Sequence, residues 1–228
     1  MALAEDERAR SFKAISPGML APLGIIFGLF VAFTAAQVWN DNERANAAVN
    51  REASTLKAVV VLAASFPGEP EAQLRALTHS YIEEAASREW PMMAEHSATL
   101  KNTPRLLAEA LKLTVDLTPS SEGQKAAQRE IIAALENAFD ARRQRIIVSQ
   151  SQVNLVKWAC LFVQAVCALL AIAMVHSDNR LASMMTMGIF ATGIAASILL
   201  IPSHDRPFMG ELSIRPDALL QVMPEQGS

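Results

Sequence analysis

Residues 19–39 read MLAPLGIIFGLFVAFTAAQVW, and residues 40–65 continue NDNERANAAVNREASTLKAVVVLAAS. The first run is apolar over the roughly 20 residues that a helix needs to cross a bilayer's hydrocarbon core. The second is polar and Ala-rich, and neither glycine nor proline interrupts the chain between Gly28 and Pro67. A helix from Leu23 to Ser65 rises 1.5 Å per residue to roughly 60 Å, about twice the hydrocarbon thickness. The stretch therefore predicts a membrane helix that continues into water as a rod.

The membrane half of this helix has two faces. Gly24, Gly28 and Ala32, with Ala35, make a small-residue stripe that lets a neighbouring helix approach closely. Opposite them runs a ridge of Ile26, Phe30, Phe33 and Gln37. That ridge has two readings, contact with lipid or an apolar constriction of the kind that gates a pore by dewetting. In the polar half, Val49, Ala53, Leu56, Val60 and Ala63 keep a four-three spacing, which predicts a thin amphipathic seam.

Working outward, residues 1–18 form a polar tail ending in the turn signal Ser16-Pro17-Gly18. Phe66-Pro67-Gly68 ends the rod, and a helix is expected from Glu71 to Trp90, closed or kinked by Pro91. A shorter helix is expected over Met92–Leu100. Another starts at Asn102-Thr103-Pro104, with Thr103 as cap, and runs to Leu117. Ser121 and Gln124 read as a capping box. No proline follows until Pro202, so one helix with Ile131, Leu135, Phe139 and Ile146 on a face is expected to pass unbroken into a second span, 153–175. His176–Arg180 is a polar turn, and 181–201 is a third span. The prediction is an all-α integral membrane protein: spans at 19–39, 153–175 and 181–201, a soluble helical bundle at 40–152, and an irregular tail at 202–228.

Composition fits such a split: 51% of the 228 residues are hydrophobic and 19% charged. A net charge of −3 offers no basic footprint for nucleic acid. Glu5, Asp6 and Glu7 stand where a signal peptide needs positive charge, so the first span is expected to be retained. Cys160 and Cys167 are one helical heptad, about 10 Å, apart, beyond disulfide reach. His79 and Glu83 share a helix face without an evident third metal ligand. No nucleophile elbow, phosphate loop or CxxC occurs, so neither catalysis nor a cofactor is expected. Within the spans, Gln164 is the polar group expected to make an interhelical hydrogen bond, and Gly188 begins another small-residue stripe. Arg142, Arg143 and Arg145 read either as a site for anionic headgroups or as a solvated helix face.

Arg44, Arg51, Arg142, Arg143, Arg145 and Arg206 lie on the bundle's side of the spans, against Arg8, Arg10, Lys13 and Arg180 on the other. The positive-inside rule then puts the bundle in the cytoplasm of a multi-pass inner (plasma) membrane protein.

Three short motifs occur in order: Glu89-Trp90-Pro91-Met92, Asp140-Ala141-Arg142-Arg143, and His204-Asp205-Arg206-Pro207-Phe208-Met209-Gly210 just after the last span. In that order and placement the chain, from about Pro17 to Val222, resembles the bestrophin-like family of bacterial membrane proteins. Bestrophins are pentameric anion channels with four membrane helices and a cytoplasmic helical region between the second and third. Their neck is a rung of bulky apolar residues on one membrane helix. The resemblance implies a homo-oligomer in the bilayer that passes inorganic anions, with Ile26, Phe30 and Phe33 as the neck. The pattern departs from bestrophins in the helix before the pore helix, which is expected to be missing here. A membrane-anchored helical sensor or scaffold without transport is the competing reading.

Overall fold

The structure is a computed structural model and describes residues 17–101, 103–176, 179–210 and 213–225, with backbone alone for 17, 19, 203 and 204. The expected tail at 1–16 and part of the expected turn at 176–180 lie outside the described residues. Among the described residues every regular element is helical. In chain order they are α1 (Pro17–Ala63), α2 (Glu69–Glu84), a π-turn (Ala85–Glu89), α3 (Trp90–Ala94), α4 (Arg105–Asp116), α5 (Glu122–Ser149), α6 (Leu155–Val175), α7 (Arg180–His204) and α8 (Asp217–Leu220). Stretches of α1, α6 and α7 are long and apolar enough to cross a membrane.

The chain forms two compact units, Met1–Asn40 with Gln152–Asp205 and Asp41–Ser151 with Arg206–Ser228. The first unit holds the apolar helices around Phe27, Val38, Val153, Leu161, Ala165 and Ile201. Phe27 and Phe190 meet at a ring distance of 5.6 Å. The second unit is a helical bundle whose core includes Leu56, Leu74, Ile82, Leu107, Ile131, Leu135 and Leu219.

Helix α1 is the uninterrupted rod that its sequence predicts. Its seam differs in register near the end: Val59, not Val60, is fully buried, and Glu52 is buried among the alanines and leucine. Pro91 does not close the second helix. Proline has no amide hydrogen, and its ring crowds the carbonyl four residues back. The chain answers with a π-turn, in which the Trp90 N–H bonds the Ala85 carbonyl, and helix continues to Ala94. No helix reaches Leu100. The next one starts at Arg105 with Pro104, φ −67° and ψ 102°, at the N-cap and no side-chain cap. Thr103 is therefore not the cap.

The capping box at Ser121 forms: its Oγ accepts from Gln124 N at 3.1 Å. Gln124 returns the favour one residue early, its Oε1 accepting from Ser120 N at 2.8 Å. The expectation of one helix running into the second span is overturned. Helix α5 stops at Ser149, and α6 begins afresh with Asn154 capping the Val156 N–H at 3.0 Å. Five consecutive residues, Ser149-Gln150-Ser151-Gln152-Val153, precede that cap, four of them polar, and a good N-cap outcompetes them. The tail expected to be irregular packs into the bundle, where Phe208, Ile214 and Leu219 are buried in the core.

Truncating the fully buried Leu56 to alanine is expected to destabilise the bundle by about 2–5 kcal/mol. Val61→Ala, on the same helix but 61% exposed, is expected to change stability by less than about 0.5 kcal/mol. Thermal unfolding of the two purified variants checks the seam.

Candidate functional site

The bundle is built around four charges from three stretches of chain. Glu52 comes from α1, Glu89 from the π-turn, and Arg142 and Arg145 from α5. The side chains of Glu52 and Arg145 are wholly buried. Arg145 grips Glu52 as a fork, Nε donating to Oε2 at 2.7 Å and Nη2 to Oε1 at 3.0 Å. Its Nη2 also donates to Glu89 Oε2 at 2.9 Å. Arg142 donates Nε and Nη2 to Glu89 Oε1 at 2.8 and 2.5 Å. The Tyr81 hydroxyl donates to Glu52 Oε1. Two carboxylates thus meet two guanidiniums, and the group is neutral as a whole. Bidentate charge-assisted bonds are the arrangement in which burial of such charges is tolerated.

Burial alone lowers the Arg145 pKa, but the Glu52 carboxylate, with Tyr81 and Glu89, outweighs it and raises the value, so the guanidinium stays charged. Burial first, and then the Glu52 carboxylate, push the Tyr81 phenol well above 10.0.

Aromatic packing surrounds this centre. The Arg145 guanidinium lies 4.7 Å from the Trp90 ring centroid. Trp90 meets Phe208 edge-on at 5.6 Å and 85°, and its indole N–H donates to the Ile214 carbonyl at 2.9 Å. The returning segment is turned by Gly210, whose φ of 94° suits glycine, and closed by Ile214 N donating to Pro207 O at 2.7 Å.

In the other unit the first helix buries Phe27, Thr34 and Val38. The ridge opposite the glycines is divided. Ile26 and Phe33 are exposed at 52% and 72%, Phe30 is half-buried against the apolar cluster, and Gln37 accepts a hydrogen bond from Lys157 Nζ of α6. Beside Gly24, Gly28 and Gly188 the space is open within one chain, and Ala32 is exposed. Gln164 Oε1 is buried with no hydrogen-bond partner among the described residues, so the expected interhelical bond is not made through that oxygen within one chain.

The family model for a bestrophin-like domain matches residues 1–219. The chain belongs to the bestrophin-like family. Among solved structures it is similar to two mutant forms of a bacterial bestrophin homologue from Klebsiella pneumoniae, each at 13% identity. Their TM-scores are 0.66 and 0.67, over 91% of this chain and 85% and 86% of theirs. A further crystal structure, described as that of a membrane protein, matches with a TM-score of 0.59 at 16% identity over 91% of this chain and 84% of its own. At such identities the likeness concerns the fold. No curated protein matches the chain in sequence.

The motif residues of this bestrophin-like chain fall in one place with informative exceptions. Trp90, Arg142, Pro207 and Phe208 are buried in the bundle, while Pro91 and Arg143 are exposed. Asp205 belongs to the apolar unit, where its Oδ1 accepts from Val153 N at 2.8 Å. The His204 side chain lies outside the described residues. Arg142 and Arg145 are neither a headgroup site nor a solvated face; they are the bundle's interior. Sequence reading missed Glu52, Tyr81 and Arg145 as a site. A signal was present, since Ile131, Leu135, Ala138, Arg142 and Arg145 continue one four-three stripe, which places two arginines where a core residue belongs.

Arg145→Ala leaves Glu52 buried and uncompensated and is expected to cost about 3–5 kcal/mol. The double variant with Glu52→Ala is expected to lose less than the sum of the singles, measured by thermal unfolding. Tyr81 is the chain's only tyrosine, so phenolate absorbance reports it alone. Its native pKa lies above the unfolded value near 10, so its contribution to stability is full below about pH 10 and falls as pH rises through the native pKa. Native protein is expected to show no phenolate at about pH 10, and Tyr81→Phe to flatten the alkaline loss of stability.

Proposed function

We propose that the chain is one subunit of a homo-oligomeric passive ion channel of the inner membrane, with its bundle in the cytoplasm and anions as the conducted class. One observation carries the reading: over 91% of its length the chain shares the fold of a bacterial bestrophin homologue. Two features of the single chain support assembly. The small-residue stripes face open space, and Ile26 and Phe33 project outward. Copies of the chain cover both, with Ile26 and Phe33 forming the neck and Phe30 supporting it from behind. Arg44, Arg51 and Arg143 line one open groove of the bundle together with Asp140, and their surplus of positive charge favours anions. Arginine placement about the spans supports the cytoplasmic bundle.

Purified protein is expected to be an oligomer in detergent and to conduct in a planar bilayer; a monomer without conductance overturns the channel. Phe33→Ala is expected to raise unitary conductance, and unchanged currents remove Phe33 from the neck. A reversal potential that follows the cation gradient overturns the anion assignment alone. With Cys160 and Cys167 replaced by alanine, Ser121→Cys is expected to resist labelling by impermeant reagents outside intact cells.

A further inference from the structure

A cavity of about 160 Å³ lies on the bundle beside the π-turn, next to the ionic centre. Its interior wall is Arg142, with 7% residual exposure. Arg142 spends Nε and Nη2 on Glu89, and its Nη1 has no acceptor among the described residues. Across from it begins α4, a helix of 12 residues with no side-chain cap. Thr103, Pro104, Arg105 and Leu106, at that helix start, also line the cavity. The first amides of a helix have no partner within it, and the helix dipole adds positive potential there. An uncapped N-terminus and a buried guanidinium with a spare donor edge therefore face one small space.

The groups left unpaired around the cavity decide the sign of its ligand. Arg88 and Arg105 stand at the mouth with Arg142 inside, and Arg105 is itself paired with Glu109 at 2.7 Å. The two lining carboxylates are engaged: Glu84 pairs with Arg88 at 3.7 Å, and Glu89 is shared by Arg142 and Arg145. The formal charges thus cancel, and the donors left over are Arg142 Nη1 and the first amides of α4, which suit the oxygens of an anion. Ala85, Met92, Leu106 and Ile146 supply an apolar part of the wall, with Tyr81 and Thr99 beside them. A cavity near 150 Å³ holds a molecule of about six non-hydrogen atoms.

We propose that this cavity binds a short-chain organic carboxylate. Arg142 Nη1 and the first amides of α4 hold its oxygens, and its hydrocarbon lies against Met92, Leu106 and Ile146. The assignment is independent of ion conduction, because it concerns a pocket within the bundle alone.

Sodium butyrate is the probe, matched to the volume, with n-butylammonium chloride and sodium phosphate as counterparts. Calorimetric titration of full-length protein in detergent is expected to show saturable butyrate binding and a butyrate-dependent rise in melting temperature. Butylammonium is expected not to bind, and phosphate to bind about tenfold more weakly or worse, lacking the apolar contacts. Leu106→Trp fills the cavity without touching an ion pair and is expected to abolish binding while the protein stays folded. Arg142→Lys keeps the charge but loses the fork, and is expected to weaken binding by about tenfold or more; should it unfold, the Leu106 variant carries the test. Absence of saturable butyrate binding, equal binding of butylammonium or phosphate, or undiminished butyrate binding to the Leu106→Trp variant overturns the proposal.

Discussion

A guanidinium with no access to water must find its carboxylates inside the protein. Arg145 finds Glu52 on the long first helix and Glu89 on the π-turn, and the bundle's helices are arranged to let it do so. The cost of stripping water from each ion is several kcal/mol, recovered only when the geometry is good and the remaining lone pairs are filled. Tyr81 and Arg142 fill them. Because the four charges come from three stretches of chain, satisfying them brings α1, the π-turn and α5 together.

The same centre explains why the three motifs sit so far apart in sequence. Glu89 and Trp90 supply a carboxylate and an aromatic face, Arg142 a counter-charge, and Phe208 an edge against Trp90. The segment carrying Phe208 follows the last apolar helix and is turned by Gly210 into the bundle core. Its neighbour Asp205 instead holds the start of α6 through Val153. One short stretch thus serves both compact units, and α1 likewise gives its first residues to one and its later residues to the other.

The helical class and the three apolar runs were legible because hydrophobic length and the absence of breakers act locally. Local signals also misled. Pro91 left closure or a kink open, and the chain accommodates it through a π-turn instead of ending the helix. The run from Ser121 to Val175 looked unbroken, but Asn154 caps a new helix after a polar interval. Arg142 and Arg145 read as headgroup or solvent contacts because arginine is usually exposed, although their place on the Ile131-Leu135-Ala138 stripe pointed inward.

By itself, then, the sequence determined the composition of each helix, the length of the apolar runs and the family to which their order belongs. It could do so because these depend on residues near one another in the chain. Which charges were buried was settled only in the tertiary structure, since Glu52 and Arg145 are 93 residues apart and neither is stable in the interior without the other. The cavity at the π-turn has the same origin. Its wall comes from α5 and the π-turn and its rim from an uncapped helix start, and no local pattern announces that they converge.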